Sequence, residues 1–184
     1  YSTNDSGYIN STTGLAVLAG QPAVKLRWHF WTDGSVVDEG WAVDDVSITP
    51  DVSMTYVSGT TTQNSAVVIR GTTSQQIIGM EVVTTGSLSP LTTTQFNLST
   101  NGTTSTADIA NAKVWYTGSS NVFSPVNQFG VTVASPSGAF IVTGSQVLST
   151  GTNYFWLTYD IPVGATVDNV VDAECASVTV GGKF

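Results

Sequence analysis

The chain has 184 residues, enough for one large β-sandwich or two small domains, and only 10 % of them are charged, against roughly 25 % in an average soluble domain. Thr, Ser, Gly, Asn and Val fill the gap; Thr and Val are β-branched, which suits a pleated surface and disfavours helix. The formal net charge of −8, with five Lys and Arg in all, repels phosphate backbones and anionic headgroups, which excludes nucleic-acid binding and leaves divalent cations, sugars and other proteins as ligand classes.

In chain order, Tyr1-Ser2-Thr3-Asn4-Asp5 lacks the basic and apolar regions of a signal peptide, so in an exported protein this is a mature or excised segment. No apolar run anywhere approaches the roughly 20 residues that span a bilayer, and no membrane insertion is expected. Residues 24–31 alternate strictly, with Val24, Leu26, Trp28 and Phe30 on one face and Lys25, Arg27, His29 and Trp31 on the other, the period of a strand. Thr32-Asp33-Gly34-Ser35 carries an Asp-Gly turn signal and joins it to a second alternating run, residues 40–49. Pro50 cannot donate to a ladder and ends this pattern, which places a domain boundary there and divides the chain into 1–50 and 51–184.

The remainder reads as short strands over 52–58, 66–69, 76–85, 93–99, 112–116, 128–133, 138–143, 153–161 and 176–180. Turn clusters such as Asn101-Gly102, Ser135-Pro136-Ser137-Gly138 and Pro162-Val163-Gly164 separate them. Many short strands at this spacing predict an all-β sandwich. Residues 153–161, rich in aromatics, are expected to be its central strand, with Trp156, like Trp28, in the core. Residues 106–112 could supply a helical turn capped by Thr106 or Asp108. The one cysteine, Cys175, permits no intrachain disulfide and reads as a small buried hydrophobe, an exposed thiol or interchain bridge being the alternative.

Two stretches resemble known families. Residues 24–35 together with Glu39-Gly40-Trp41-Ala42-Val43-Asp44-Asp45-Val46-Ser47-Ile48 resemble the closing strands of MAM-type jelly rolls. That resemblance covers about residues 13–49, too few for a whole jelly roll, so the first domain is expected to be the C-terminal part of one, completed from elsewhere. Over residues 52–182 the motifs are Ile77-Ile78-Gly79-Met80-Glu81-Val82, Asp108-Ile109-Ala110-Asn111-Ala112-Lys113-Val114-Trp115-Tyr116, Asn153-Tyr154-Phe155-Trp156-Leu157-Thr158-Tyr159-Asp160 and Val171-Asp172-Ala173-Glu174-Cys175. They resemble the module found N-terminal to bacterial neuraminidase repeats in sialidases, a module that also recurs in large secreted bacterial surface proteins. The resemblance implies an Ig-like or jelly-roll sandwich with an accessory role. It also implies a location outside the cell or on the surface of a Gram-negative bacterium that exports through the type IX pathway. Sialidase chemistry is not implied, because it needs an arginine cluster and only Arg27 and Arg70 are present. Val36-Val37-Asp38-Glu39-Gly40-Trp41 only echoes the Asp-box of the neuraminidase repeat, since it lacks the Ser and sets Trp directly after Gly.

Catalytic constellations are weak. His29 is the sole histidine, and no Gly-x-Ser-x-Gly supplies it with a nucleophile. One His and one Cys cannot close a zinc tetrahedron. Asp172 and Glu174 alternate onto one strand face with Asp160 as a third carboxylate, but the pairing reads as structural. Asp33, Asp38, Glu39, Asp44 and Asp45 crowd one hairpin, and hard oxygen ligands at that density suit calcium, with Asp44 and Asp45 as candidate ligands and solvated carboxylates as the alternative. Trp31, Trp41, Trp115 and Tyr116 are candidates for a carbohydrate platform, since flat rings stack on pyranose faces. Asn4, Asn10, Asn97 and Asn101 sit in Asn-x-Ser/Thr sequons. The leading expectation is a non-catalytic structural or adhesive module of a large, secreted, filament-like surface protein, contacting neighbouring domains or copies of itself. The alternative is a carbohydrate-binding accessory domain of a secreted glycosidase such as a sialidase.

Overall fold

Segments of alternating β-branched and aromatic residues, each closed by a Gly, Asn or Ser turn, become eight strands in the computed structural model, which describes residues 13–15, 24–28, 46 and 52–181. The chain divides into two units, Tyr1–Ser47 and Ile48–Phe184. All the strands among the described residues belong to the second: β1 (Thr55–Gln63), β2 (Gln75–Thr85), β3 (Thr92–Ser99), β4 (Asn111–Gly118), β5 (Gln128–Ala134), β6 (Ala139–Val147), β7 (Gly151–Asp160) and β8 (Glu174–Val180). They form a five-stranded sheet, β1-β2-β7-β4-β5, and a three-stranded sheet, β6-β3-β8. Every ladder is antiparallel. The result is an all-β sandwich, as the spacing of short strands predicts. No helix among the described residues is long and apolar enough to cross a membrane.

Strand β7 is central, as expected. Its inward residues Phe155, Leu157 and Tyr159 are fully buried and meet Ala112, Val114 and Tyr116 of β4 in register. Phe155 packs on Phe96 from the facing sheet with centroids 4.9 Å apart, on Phe129 at 5.7 Å and on Tyr116 at 4.8 Å. Edge and tilted contacts of this kind add to the gain from burying ring area. A bulge in β2 between Gln76 and Ile78 lets the successive residues Ile77 and Ile78 both be buried, which strict alternation forbids. Burial pushes the Tyr159 hydroxyl well above its ordinary range, with the Asp172 carboxylate adding to the effect.

The sandwich is closed on one side and open on the other. At the closed side β5 and β6 lie against each other. Gly130 there sits at φ +67, and a Cβ on it would fall 2.0 Å from the Thr143 carbonyl oxygen, so only glycine fits. At the open side the five-stranded sheet overhangs the three-stranded one. The edge strand β1 is exposed along nearly its whole length.

Several expectations need correction. Residues 66–69 form loop, with Val67 91 % exposed and Ile69 62 % exposed; Val68 packs on the core, but an apolar run with no neighbouring strand has nothing to hold it in a ladder. The helical turn is confined to a 3-10 turn at Thr106–Asp108, its N-cap is Ser105 with no side-chain cap bond, and residues 111 and 112 already belong to β4. Trp28 is 49 % exposed instead of core, and residues 24–28 carry no strand assignment. Trp156 is buried but lies outside the inter-sheet core cluster, because it projects from the outward face of β7. Residues 31 and 41, 44 and 45, and the rest of the closing strands of the first domain, lie outside the described residues.

Candidate functional site

The outward face of the five-stranded sheet carries the most organised chemistry of the molecule. In register across β4 and β7, Trp115 lies opposite Trp156 and Lys113 opposite Thr158, so these side chains share one face with Tyr154 and Asp160. Each indole N–H is tied to a threonine on the neighbouring strand. Trp115 Nε1 donates to Thr158 Oγ1 at 2.9 Å, and Trp156 Nε1 donates to Thr117 Oγ1 at 2.8 Å. The other end of the Trp156 indole reaches the opposite strand, for a Cβ on Gly79 would fall 3.0 Å from its Cζ3. An indole anchored on β4 at one end and resting on Gly79 of β2 at the other lies across the sheet, and glycine is what leaves room for it.

Around this floor the rings are ordered. Tyr154 and Trp156 have planes within 15° of each other and centroids 6.1 Å apart, close to the two-residue repeat of a strand. Phe123, from the β4–β5 loop, tilts against Trp156 with centroids 6.1 Å apart. Trp115 and Tyr154 remain half-buried, so part of their surface is open to solvent.

One end of the row is an ion pair, with Lys113 Nζ 2.6 Å from Asp160 Oδ2. Asp160 also accepts from Asn111 Nδ2 at 2.9 Å and from the Ser74 N–H at 2.9 Å. Burial opposes its ionisation, but the Lys113 hydrogen bond, the Ser74 and Asn111 donors and the Lys113 charge together hold the carboxyl below its ordinary value. A carboxylate so fully engaged is a fixed structural charge, and it neutralises Lys113.

The other residues singled out in the sequence are dispersed. Tyr116 sits on the inward side of β4, its ring on Phe155 and its hydroxyl donating to Asn153 Oδ1 at 2.8 Å; burial raises its pKa. Asp172, Glu174 and Asp160 do not form a cluster. Asp172 lies before β8 and accepts from the Ala173 N–H at 2.7 Å, Glu174 accepts from Asn101 Nδ2 at 3.3 Å, and Asp160 belongs to the other sheet. Asp108 is buried; Asn169 Nδ2 and the Thr166 N–H hold its carboxyl below the ordinary range, against burial, and pin the loop before β8. Burial pushes the Cys175 thiol up to about 11, so it is a poor nucleophile at neutral pH. Asp44 and Asp45, the candidate calcium ligands, lie outside the described residues, as do Trp31 and Trp41; among the described residues no group of three or more His, Cys, Asp or Glu is placed to hold a metal.

Tyr154 and Trp156 were not among the residues expected at a saccharide site. The signal was present: residues 154–159 put aromatics on both parities, which means both faces of the strand bury rings.

Fold and face together define a two-sheet β-sandwich with a tethered aromatic row. The model of one family, the N-terminal domain of BNR-repeat neuraminidase, matches residues 59–184, and the chain belongs to that family. A sialidase of Bacteroides fragilis (strain YCH46) is 35 % identical over 51 residues, which are 28 % of this chain and 9 % of that protein. The solved Hadza microbial sialidase Hz136 superposes with a TM-score of 0.55 at 14 % identity, over 67 % of this chain and 28 % of that one. The chain therefore spans 28 % of the solved relative and 9 % of the curated one, and at this identity the superposition speaks to fold alone.

Proposed function

We propose that this chain is a non-catalytic accessory module of a secreted, sialidase-like bacterial protein and that it holds its parent on saccharide-bearing surfaces through the outward face of the five-stranded sheet. The observation that carries this reading is the aromatic row of Tyr154, Trp156 and Trp115, with both indole N–H groups fixed on threonines. Rings tethered before a ligand arrives lose little freedom on binding, which is how preorganised sites gain affinity. Family membership supports the accessory role beside a neuraminidase-repeat domain. We place the parent outside the cell of a Gram-negative bacterium, exported through the type IX pathway, as part of the same proposal. Arg70 commits its Nη1 to the Ala165 carbonyl at 3.3 Å and the perturbed carboxylates Asp108 and Asp160 are committed to internal hydrogen bonds, so these groups serve the scaffold.

The test is a glycan array followed by titration of the best ligand. Wild type binds, and Trp115→Ala weakens binding at least tenfold while the fold persists. Absence of binding, or binding that Trp115→Ala leaves intact, contradicts the reading. A second reading, a structural or adhesive module working through neighbouring domains or copies, is favoured by a different observation, the open side of the sandwich.

A further inference from the structure

Between the overhanging strands β1 and β2 and the free edge of β8 lies a crevice of about 600 Å³. Its walls are mostly apolar, from Met80 and Val82 on one sheet and Phe96, Val178 and Val180 on the other, with Met54 at one end. The inward residues of β1 beside it are uncovered; Tyr56 is 47 % exposed. Five strands thus face three, and the crevice beside β8 is lined by residues of β1 and β2 on one side and of β8 and β3 on the other. Among the described residues β8 has a ladder partner on its β3 side alone, and a strand laid on its other edge would drop alternate side chains into the crevice.

A segment of matching chemistry exists elsewhere in the sequence. Val24, Leu26 and Trp28 alternate with Lys25 and Arg27, and the three apolar side chains are 44 %, 36 % and 49 % exposed. Placed beside β8 as a strand, the apolar set fills the crevice and the two cations face outward with Glu174, which is exposed at the start of β8. Glu174 is the one charged residue of β8, so the charge of the segment is complementary to that edge.

We infer that this sandwich accepts residues 24–28 of a second copy as an added strand along β8, completing its three-stranded sheet and linking copies head to tail. Such heterologous pairing builds an open chain of subunits or, where the rotation closes, a ring.

The 184-residue chain provides the test, because Cys175 lines the crevice and is its only cysteine. Leu26→Cys/Cys175→Ser is mixed with wild type under copper-phenanthroline oxidation, which takes two protons and two electrons from one thiol on each copy and leaves an interchain disulfide. A reduction-sensitive dimer is expected, formed at least tenfold faster than with Val167→Cys/Cys175→Ser, whose cysteine replaces a residue that is 60 % exposed in a loop. Equal rates with the control, or no dimer, overturn the inference. Leu26→Asp in otherwise native protein is expected to weaken concentration-dependent self-association in sedimentation at least tenfold; sedimentation as a monomer by the native chain at every concentration also overturns it.

Discussion

The two faces of β7 are built from the same kinds of residue and do different things. Inward, Phe155, Leu157 and Tyr159 are fully buried between the sheets and their value lies in packing. Outward, Trp156, Thr158 and Asp160 are linked to β4 or β2 by named hydrogen bonds, an ion pair or a glycine contact, and Tyr154 stacks on Trp156. One face is a core and the other is a constructed surface. A strand that buries rings on both sides signals a second purpose for one of them, since a single sandwich core needs only one apolar face.

The contrast can be broken most forcefully from inside. Phe155→Ala removes a ring in contact with three others and is expected to cost about 3–5 kcal/mol of stability, as core Phe truncations do. Urea denaturation measures it; a loss under about 1 kcal/mol would mean that the inter-sheet packing is not the core. On the outward face the largest effect is electrostatic. Because Asp160 ionises below its usual 3.8, its contribution to stability is complete above that value and is lost as pH falls through its folded pKa. Lys113→Met is expected to lower stability near neutral pH by about 1–2 kcal/mol, between the range for exposed pairs and that for buried ones. It should also flatten the loss of stability below about pH 4. An unchanged acid slope in denaturation midpoints would show that Lys113 does not hold the carboxylate down. The smallest stability effect belongs to Trp115→Ala, about 1 kcal/mol or less, the range of a surface site with one hydrogen bond. Its consequence is expected in binding, and a collapse of the fold instead would reassign Trp115 to the scaffold.

Much of this was legible from residues alone. Period-2 alternation and turn clusters located seven of the eight strands closely, and residues 153–161 were expected to be central because few strands hold so many rings. The sequence could not say which parity of that strand faces the core, since Tyr154 and Trp156 are as apolar as Phe155 and Leu157; the register with β4 decides it. Residues 66–69 looked like a strand because β-branched composition reports fitness for a ladder and not whether a neighbour exists to complete one. Tyr116, a neighbour of Trp115 in sequence, turns inward for the same parity reason. The crevice beside β8 was out of reach, because strand order is a long-range property that local pattern does not encode.

The outward row as a saccharide-binding face is the central claim, and the five tryptophan indole N–H resonances offer the most direct measurement of it. With the best array ligand titrated into 15N-labelled protein, the account predicts saturable shifts of the Trp115 and Trp156 indole peaks, while the Trp28 peak stays still. Shifts confined to other tryptophans, or no shift at all at saturating saccharide, would contradict it.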